Sequence, residues 1–469
     1  MLLDQRWLVC LSAFLANLLA LGVFFSMGTL LSDIMDTFNV TRAEAALVQS
    51  VGITVSLCFG FFHGCLVQTF GVRNVAICLS CCMSVGFGIC FFATSITFLV
   101  ISMGLVGGIP VSGIIITSAA AIGRHFHGKQ GIFFVSFINV GSGLGGVSFP
   151  YLFNYLTDTF GLRGTCLITG GIFLHMIPLT LLWKPPITRK SRQSTNLQDV
   201  AGEDNKAYHA GRSELNDADQ VWNSRTNKSD VIDATLTNQT LTSVKGENNT
   251  SNGDGGAVCT TLKKLLADTA YMYFAFGIAT AYSCNTVFYV YVVDALQDSG
   301  FSEINATLGL LLMNLAGILG RFLPGSLTQT KHITVLKIPM IACIMIILSQ
   351  LGLTLISSVF TNFLSCILAG TAIGMFSSTF GVATLKLVGT ERQATAMGIC
   401  LSLSGITNAV LGPIGGLIRD KTGSYTIPFL LSASVEVLAI VLLIMAQFYR
   451  FKDRRSAEKQ MPVYYNTRF

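Results

Sequence analysis

Apolar residues along this chain gather into twelve stretches separated by short polar connections: 7–31, 45–70, 74–93, 97–122, 131–155, 166–183, 270–293, 306–323, 333–353, 360–382, 394–418 and 426–448. Each is close to the ~20 residues that a helix needs to cross the hydrocarbon core of a bilayer. A helix is also the form in which such a segment satisfies all its own backbone hydrogen bonds there. One long polar stretch, 184–261, divides the spans six and six. The pattern predicts an all-α membrane protein with two six-helix bundles, 1–183 and 262–449, joined by a loop and followed by a tail at 450–469. Two bundles of equal size point to a carrier rather than to a receptor or a membrane enzyme.

Composition agrees with this reading. Mean hydropathy is +0.62, and charged residues make up 12% of the chain, about half the usual share in a soluble protein. The first apolar run is too long for a cleaved signal peptide and lacks a small-residue cleavage site. The 13 cysteines are scattered through the spans, as at Cys58, Cys65, Cys81 and Cys82. They lack metal-ligand spacing and read as small apolar packing residues. No nucleophile elbow or glycine-rich phosphate loop is present, so neither an enzyme nor a cofactor is implied.

The net charge of +6 calls for no nucleic-acid partner. Lysines and arginines collect in alternate connections, including Arg73, Arg124, Lys129, Lys263, Lys264, Lys331, Arg392 and Arg450. The other connections hold Asp33, Asp36, Glu44, Asp294, Asp298 and Glu303. By the positive-inside rule both termini and the central loop are cytosolic. The loop 184–261 is rich in Asn, Ser, Thr, Asp and Gly, which predicts disorder. Sequons at Asn227, Asn238, Asn248 and Asn249 fall within it and read as products of composition. Asn39 and Asn305, in outer connections, are the better glycan acceptors.

The halves echo one another. Asp158-Thr159-Phe160-Gly161 follows span five, and Asp420-Lys421-Thr422-Gly423 follows span eleven. Gly123-Arg124 follows span four, and Gly389 to Arg392 follows span ten. The shared order argues for a parallel repeat of six spans, as in major facilitator carriers. The segment from Gly64 through Gln68 and Gly71 to Arg73 resembles the superfamily's signature between the second and third spans, with Gln68 where an Asp is usual. Its glycines permit close helix approach, and Arg73 can neutralise helix C-terminal carbonyls.

A narrower resemblance emerges from Asp4-Gln5-Arg6-Trp7, from Phe160-Gly161-Leu162-Arg163-Gly164, from Phe288 to Ala295 around Asp294, from Gly317 through Gly320 and Arg321 to Gly325, and from Asp420 to Tyr425. Together they resemble the monocarboxylate transporter family across nearly all spans. The family's glycine-rich stretch in span five is matched by Gly141, Gly143 and Gly145, behind a thinner basic cluster at His127 and Lys129. The resemblance implies a small carboxylate-bearing substrate, the lipid bilayer as surroundings and, for some members, a single-span immunoglobulin-like chaperone.

Arg321 is the sharpest residue. A cation within a span is costly unless it faces protein or water, and a guanidinium bonds a carboxylate at two points. The resemblance implies that it meets the substrate carboxylate; the other reading is a structural arginine reaching the cytosolic interface near Lys331. Proton-coupled members carry an Asp four residues earlier, where Gly317 stands here, and a Lys in span one, where none lies. The resemblance thus implies a carrier without implying proton coupling; Asp33 and Asp294 are the remaining acids to consider. Asn285, Tyr289, Asn314, Phe376 and Phe380 either line the substrate pocket or pack the bundle, as do Asn17, Asn139, Asn408 and Tyr282. His175 and Glu436 read as bundle packing. The function expected is alternating-access transport of small carboxylates, short monocarboxylates first, at the plasma membrane. The other class is a sensor or scaffold that keeps the transporter fold without transport.

Overall fold

The computed structural model describes residues 5–184, 254–329, 333–356 and 358–460, and every regular element among them is a helix. Ten helices are long and apolar enough to cross a membrane, eleven with the bent pair Glu44–Cys58 and Gly60–Phe70 taken as one span. The longest, Gly128–Leu181, has 54 residues. A straight helix of that length would measure about 80 Å, far more than the ~30 Å hydrocarbon core. It breaks at Gly161, whose φ of 65° and ψ of 177° are not helical. The break divides it into two spans and makes twelve.

We label these α1 (Gln5–Ser26, prolonged by Leu31–Phe38), α2 (Arg42–Cys58 and Gly60–Phe70), α3 (Val72–Ile89), α4 (Ile96–His125), α5 (128–160) and α6 (162–181). The second half holds α7 (Thr269–Asp298), α8 (Glu303–Leu327), α9 (Lys337–Leu355), α10 (Val359–Val388), α11 (Gln393–Thr422) and α12 (Thr426–Gln460). Both halves lie within one compact unit, Met1–Lys184 with Val258–Phe469.

Local chemistry sets the helix ends. Thr41 and Glu44 form a reciprocal capping box at the start of α2. Asp268 accepts from the Tyr271 N–H to cap α7, and Ser302 accepts from the Asn305 N–H to cap α8. The two Asp-x-x-Gly strings both end in a glycine of positive φ, 65° at Gly161 and 67° at Gly423, which suits glycine, while ψ differs, 177° against 11°. The repeat read from the sequence is thus expressed in the turn between the fifth and sixth helices of each half. The polar loop departs from expectation at its end, where helix Asp254–Ala267 takes in 254–261. Leu262 and Leu265 recur on one face and pack against the core, which offsets the ordering cost. The tail also departs from expectation, since α12 runs on to Gln460; the remainder of the loop, its four sequons and residues 461–469 lie outside the described residues.

Glycines set helix spacing inside each half. Gly141 and Gly145 of α5 meet the backbone carbonyls of Phe14 and Leu18 on α1. Gly370 and Gly374 of α10 meet the backbone of Met313 and Gly317 on α8. Helices without a Cβ at the crossing approach closely enough for backbone contact, the main source of packing energy in lipid. The outward faces stay apolar, as Val437, Leu438, Val441 and Ile444 on α12 illustrate.

The halves meet where α2 packs on α11 and α5 on α8. Bonds joining them run from the middle of these helices to the end that bears Gln68 and Glu391. Ser402 on α11 reaches α2 at Cys58 and Phe61, Ser136 on α5 reaches α8, and Gln68 Nε2 donates to the Glu391 carbonyl at 3.4 Å. At that end the seam between the halves is closed.

Candidate functional site

Arg321 lies in the second half of α8, and its side chain, like most on a helix, runs back toward the helix N-terminus. That direction carries the guanidinium away from the closed end of the seam and toward the middle of the span. Nη1 lies 3.0 Å from where a Cβ on Gly143 would stand and 3.2 Å from one on Gly317. Two glycines, one on α5 of the first half and one on α8 itself, therefore leave the slot in which the guanidinium rests. The residue is 7% exposed, and its Nε has no hydrogen-bond partner. Among the described residues no carboxylate is paired with it, in contrast to Arg450, which meets Asp268 at 3.7 Å. A buried cation of this kind is costly without an anion.

The backbone around Arg321 is held more firmly than its side chain. The Arg321 carbonyl accepts from Ser136 Oγ at 2.6 Å and from Ser378 Oγ at 2.9 Å. Neither serine was singled out in the sequence. The sequence held no local signal for them, since Pro324 frees the Gly320 carbonyl, four residues back, and not that of Arg321.

Beside the guanidinium stands Tyr289 of α7, within electrostatic reach of it. The Tyr289 hydroxyl donates to Asn314 Oδ1 at 3.4 Å. Asn285 lies one turn earlier on α7, buried, with Oδ1 unbonded. Tyr282, a turn earlier again, meets Phe380 edge-on at 5.8 Å, and Phe380 meets Phe376 edge-on at 5.9 Å. One face of α7 thus joins an aromatic row from α10 to the polar cluster Tyr289, Asn314 and Arg321. A cation, a hydroxyl and amides between aromatic rings can hold a small anion with an apolar body.

Other residues read from the sequence lie apart. Asp294 accepts from the Tyr425 hydroxyl at 3.2 Å within the second half. Asp33 neighbours Asp158 and Thr157 in the first half. Gly64 meets the backbone of Ala394 and Thr395 across the seam, and Gly71 ends α2 with a φ of 81°. Arg73 is half-buried near that end, its Nε unbonded. Arg163 is exposed on α6. Asp420 belongs to the last turn of α11, but its side chain is outside the description. Asn17 bridges α1 to α4 through Ser118 Oγ at 2.9 Å. Glu436 is fully buried on α12, with both carboxylate oxygens unbonded among the described residues.

The Major Facilitator Superfamily model matches residues 13–410. Human monocarboxylate transporter 14 is 24% identical, over 96% of this chain and 91% of its own length. Monocarboxylate transporter 9 of Pongo abelii is also 24% identical, over 97% and 95%. A crystal structure of the human organic anion transporter MFSD10 shares the fold, with a TM-score of 0.65 at 15% identity, over 94% of this chain and 100% of that one. Twelve helices in two halves, a seam of α2 with α11 and α5 with α8, and a sequence match across most of the spans lead to one assignment: the chain belongs to the major facilitator superfamily, and its curated relatives there are monocarboxylate transporters.

Proposed function

We propose that this chain is an alternating-access transporter of small carboxylate-bearing solutes, short monocarboxylates foremost, across the plasma membrane. One observation carries the reading: Arg321 is a buried guanidinium between the halves with no carboxylate partner among the described residues. A substrate carboxylate supplies the missing anion through a two-point hydrogen bond. Tyr289 and Asn314 stand where they can bond a second polar atom of the substrate, and the aromatic row of Phe376 and Phe380 suits a short apolar body.

In this reading both termini and the central loop are cytosolic. The closed end of the seam then faces the cytosol and the site opens outward. Rocking of the halves, 1–183 against 262–449, exposes it to either side. Gly64, Gly71 and Arg73 belong to the hinge region of the first half, and Arg163 and Asp420 to the corresponding turns after α5 and α11. With Gly317 where proton-coupled relatives have an acid, flux follows the substrate gradient. A single-span immunoglobulin-like chaperone is the partner to test by co-expression.

The test is an uptake screen of radiolabelled carboxylates in vesicles, with and without a pH gradient. Saturable uptake of a small carboxylate, lost in Arg321→Ala protein that still reaches the membrane, is the expected result. Signalling without uptake of any carboxylate overturns it.

A further inference from the structure

We propose that Ser136 and Ser402 form a pair of latches that hold the seam closed. Ser136, on the fifth helix of the first half, donates to the Arg321 carbonyl at 2.6 Å and accepts from the Gly325 N–H at 3.1 Å. Arg321 and Gly325 are the acceptor and donor of a single i→i−4 step of α8. Ser402, on the fifth helix of the second half, makes the same contact in the opposite sense. It donates to the Cys58 carbonyl at 2.7 Å, with the Leu57 carbonyl at 3.4 Å, and accepts from the Phe61 N–H at 2.8 Å. Leu57 and Phe61 again bracket one i→i−4 step, the one at which α2 bends by 48°.

Each hydroxyl thus sits in a backbone step of the second helix of the opposite half. Glycine clears both approaches. A Cβ on Gly325 would lie 2.6 Å from the Ser136 Cβ, and one on Gly60 would lie 2.9 Å from the Gly398 carbonyl and 3.4 Å from the Ser402 nitrogen. The local backbone is irregular beside both places, by Pro324, which takes the helical donor from the neighbouring Gly320 carbonyl in α8, and by the break at Phe59 in α2. A hydroxyl from the other half supplies hydrogen bonds there, and a backbone group left without them in a low-dielectric seam is costly.

Rocking of the halves must break both contacts, so both favour the closed seam. Ser136 adds a link to the site. The carbonyl it holds is that of Arg321, while the Arg321 guanidinium rests by Gly143, two turns along α5 from Ser136. Both ends of Arg321 therefore touch the same helix of the opposite half, and a substrate that moves the side chain acts on a residue whose backbone is part of the latch. The link to substrate rests on the transporter reading; the latch rests on the seam geometry.

Cys58 reports the seam, because a Cβ on Gly405 of α11 would lie 3.0 Å from its Sγ. The experiment is peptide-mapped alkylation of Cys58 in the full chain by a membrane-impermeant maleimide, in everted vesicles without substrate. Ser136→Ala and Ser402→Ala should each raise the rate roughly five- to tenfold. Ser378→Ala is the control: it removes a bond of similar length to the same Arg321 carbonyl, but from α10 within one half. It should leave the rate within about twofold of the parent. Parent rates in both alanine variants, equal opening by Ser378→Ala, or failure of both alanine proteins to fold where Ser378→Ala folds, each overturn the latch. Absence of carboxylate uptake alongside the expected alkylation overturns the substrate reading alone.

Discussion

The Arg321 guanidinium lies against Gly317, one turn toward the N-terminal end of α8, with Nη1 3.2 Å from the place a Cβ would take. A carboxylate introduced at 317 would compete with substrate for Arg321 and release it on protonation. Gly317→Asp should therefore give weak uptake at neutral pH that rises several-fold in acid. Gly317→Ala measures the steric part, since the same Cβ would lie 3.2 Å from the Gly370 carbonyl. Equal pH profiles for the Asp and Ala variants would show that position 317 does not communicate with Arg321.

Arg321 itself separates recognition from structure. Arg321→Lys keeps the charge but loses the planar two-point geometry, so uptake should fall roughly tenfold or more. Arg321→Ala should abolish uptake while the protein still reaches the membrane, because removing an unpaired buried cation relieves a desolvation cost. Lysine working nearly as well as arginine, with alanine mainly reducing folded protein, would assign the residue a structural role. Uptake per surface-labelled molecule distinguishes these outcomes.

Span number, the six-and-six division and the repeat were legible in the sequence because membrane helices are written as long apolar runs and turns as Asp-x-x-Gly strings. Arg321 was legible because a cation in such a run is conspicuous. The bend of α2 at Phe59 was not, since no proline marks it and the hydroxyl beside it comes from Ser402, far away in sequence. The pairing of Asp294 with Tyr425 was equally hidden, for the two lie in separate strings near span ends that only the packing of α7 on the start of α12 brings together. The slot for the guanidinium depends on Gly143 of the other half, and no local pattern announces a contact of that range.

That pairing bears on proton coupling. The Tyr425 phenol is pushed up to about 12 by burial and, next, by the charge of Asp294. Its folded value lies above the usual ~10, so its contribution to stability is complete below pH ~10 and is lost only as pH rises through about 12. Tyr425 therefore stays a donor to Asp294 throughout the physiological range. With Gly317 rather than an acid beside the Arg321 guanidinium, uptake should respond less than about twofold to an imposed acid gradient, the size of a perturbation well under 1 kcal/mol. Asp294→Asn, which retains an acceptor for the phenol, should behave like the parent. Strong accumulation driven by external acid would direct attention to Asp33.

Helix contact through glycine predicts where the bundle is intolerant. A Cβ on Gly370 would overlap the Met313 carbonyl, and one on Gly374 would overlap the Gly317 carbonyl. Both neighbours are backbone and cannot rotate away. Gly370→Ala and Gly374→Ala should each destabilise the detergent-solubilised protein by roughly 1–3 kcal/mol. Gly171→Ala, where a Cβ meets nothing within 4 Å, should not, and thermal unfolding of the three proteins side by side checks the contrast.

Topology can be read from both faces of the membrane. In the proposed orientation 184–261 is cytosolic, so a tag near Asn238 should stain permeabilised cells alone, and its sequons should stay unmodified. On the face proposed as outer, Asn39 is exposed in a left-handed turn between α1 and α2, whereas Asn305 is committed to the first helical turn of α8. Glycan transfer needs an accessible, non-helical peptide, so Asn39→Gln should remove any glycosidase-sensitive shift and Asn305→Gln should leave it. Surface staining at Asn238, or a glycan mapped to that loop, would reverse the orientation and with it the side to which the closed seam faces. Deleting 194–253 removes mainly polar sequence with little apolar surface to bury, so transport per surface molecule should stay within about twofold of the parent. Complete loss of transport by a correctly localised deletion protein would show that the loop takes part in the transport cycle.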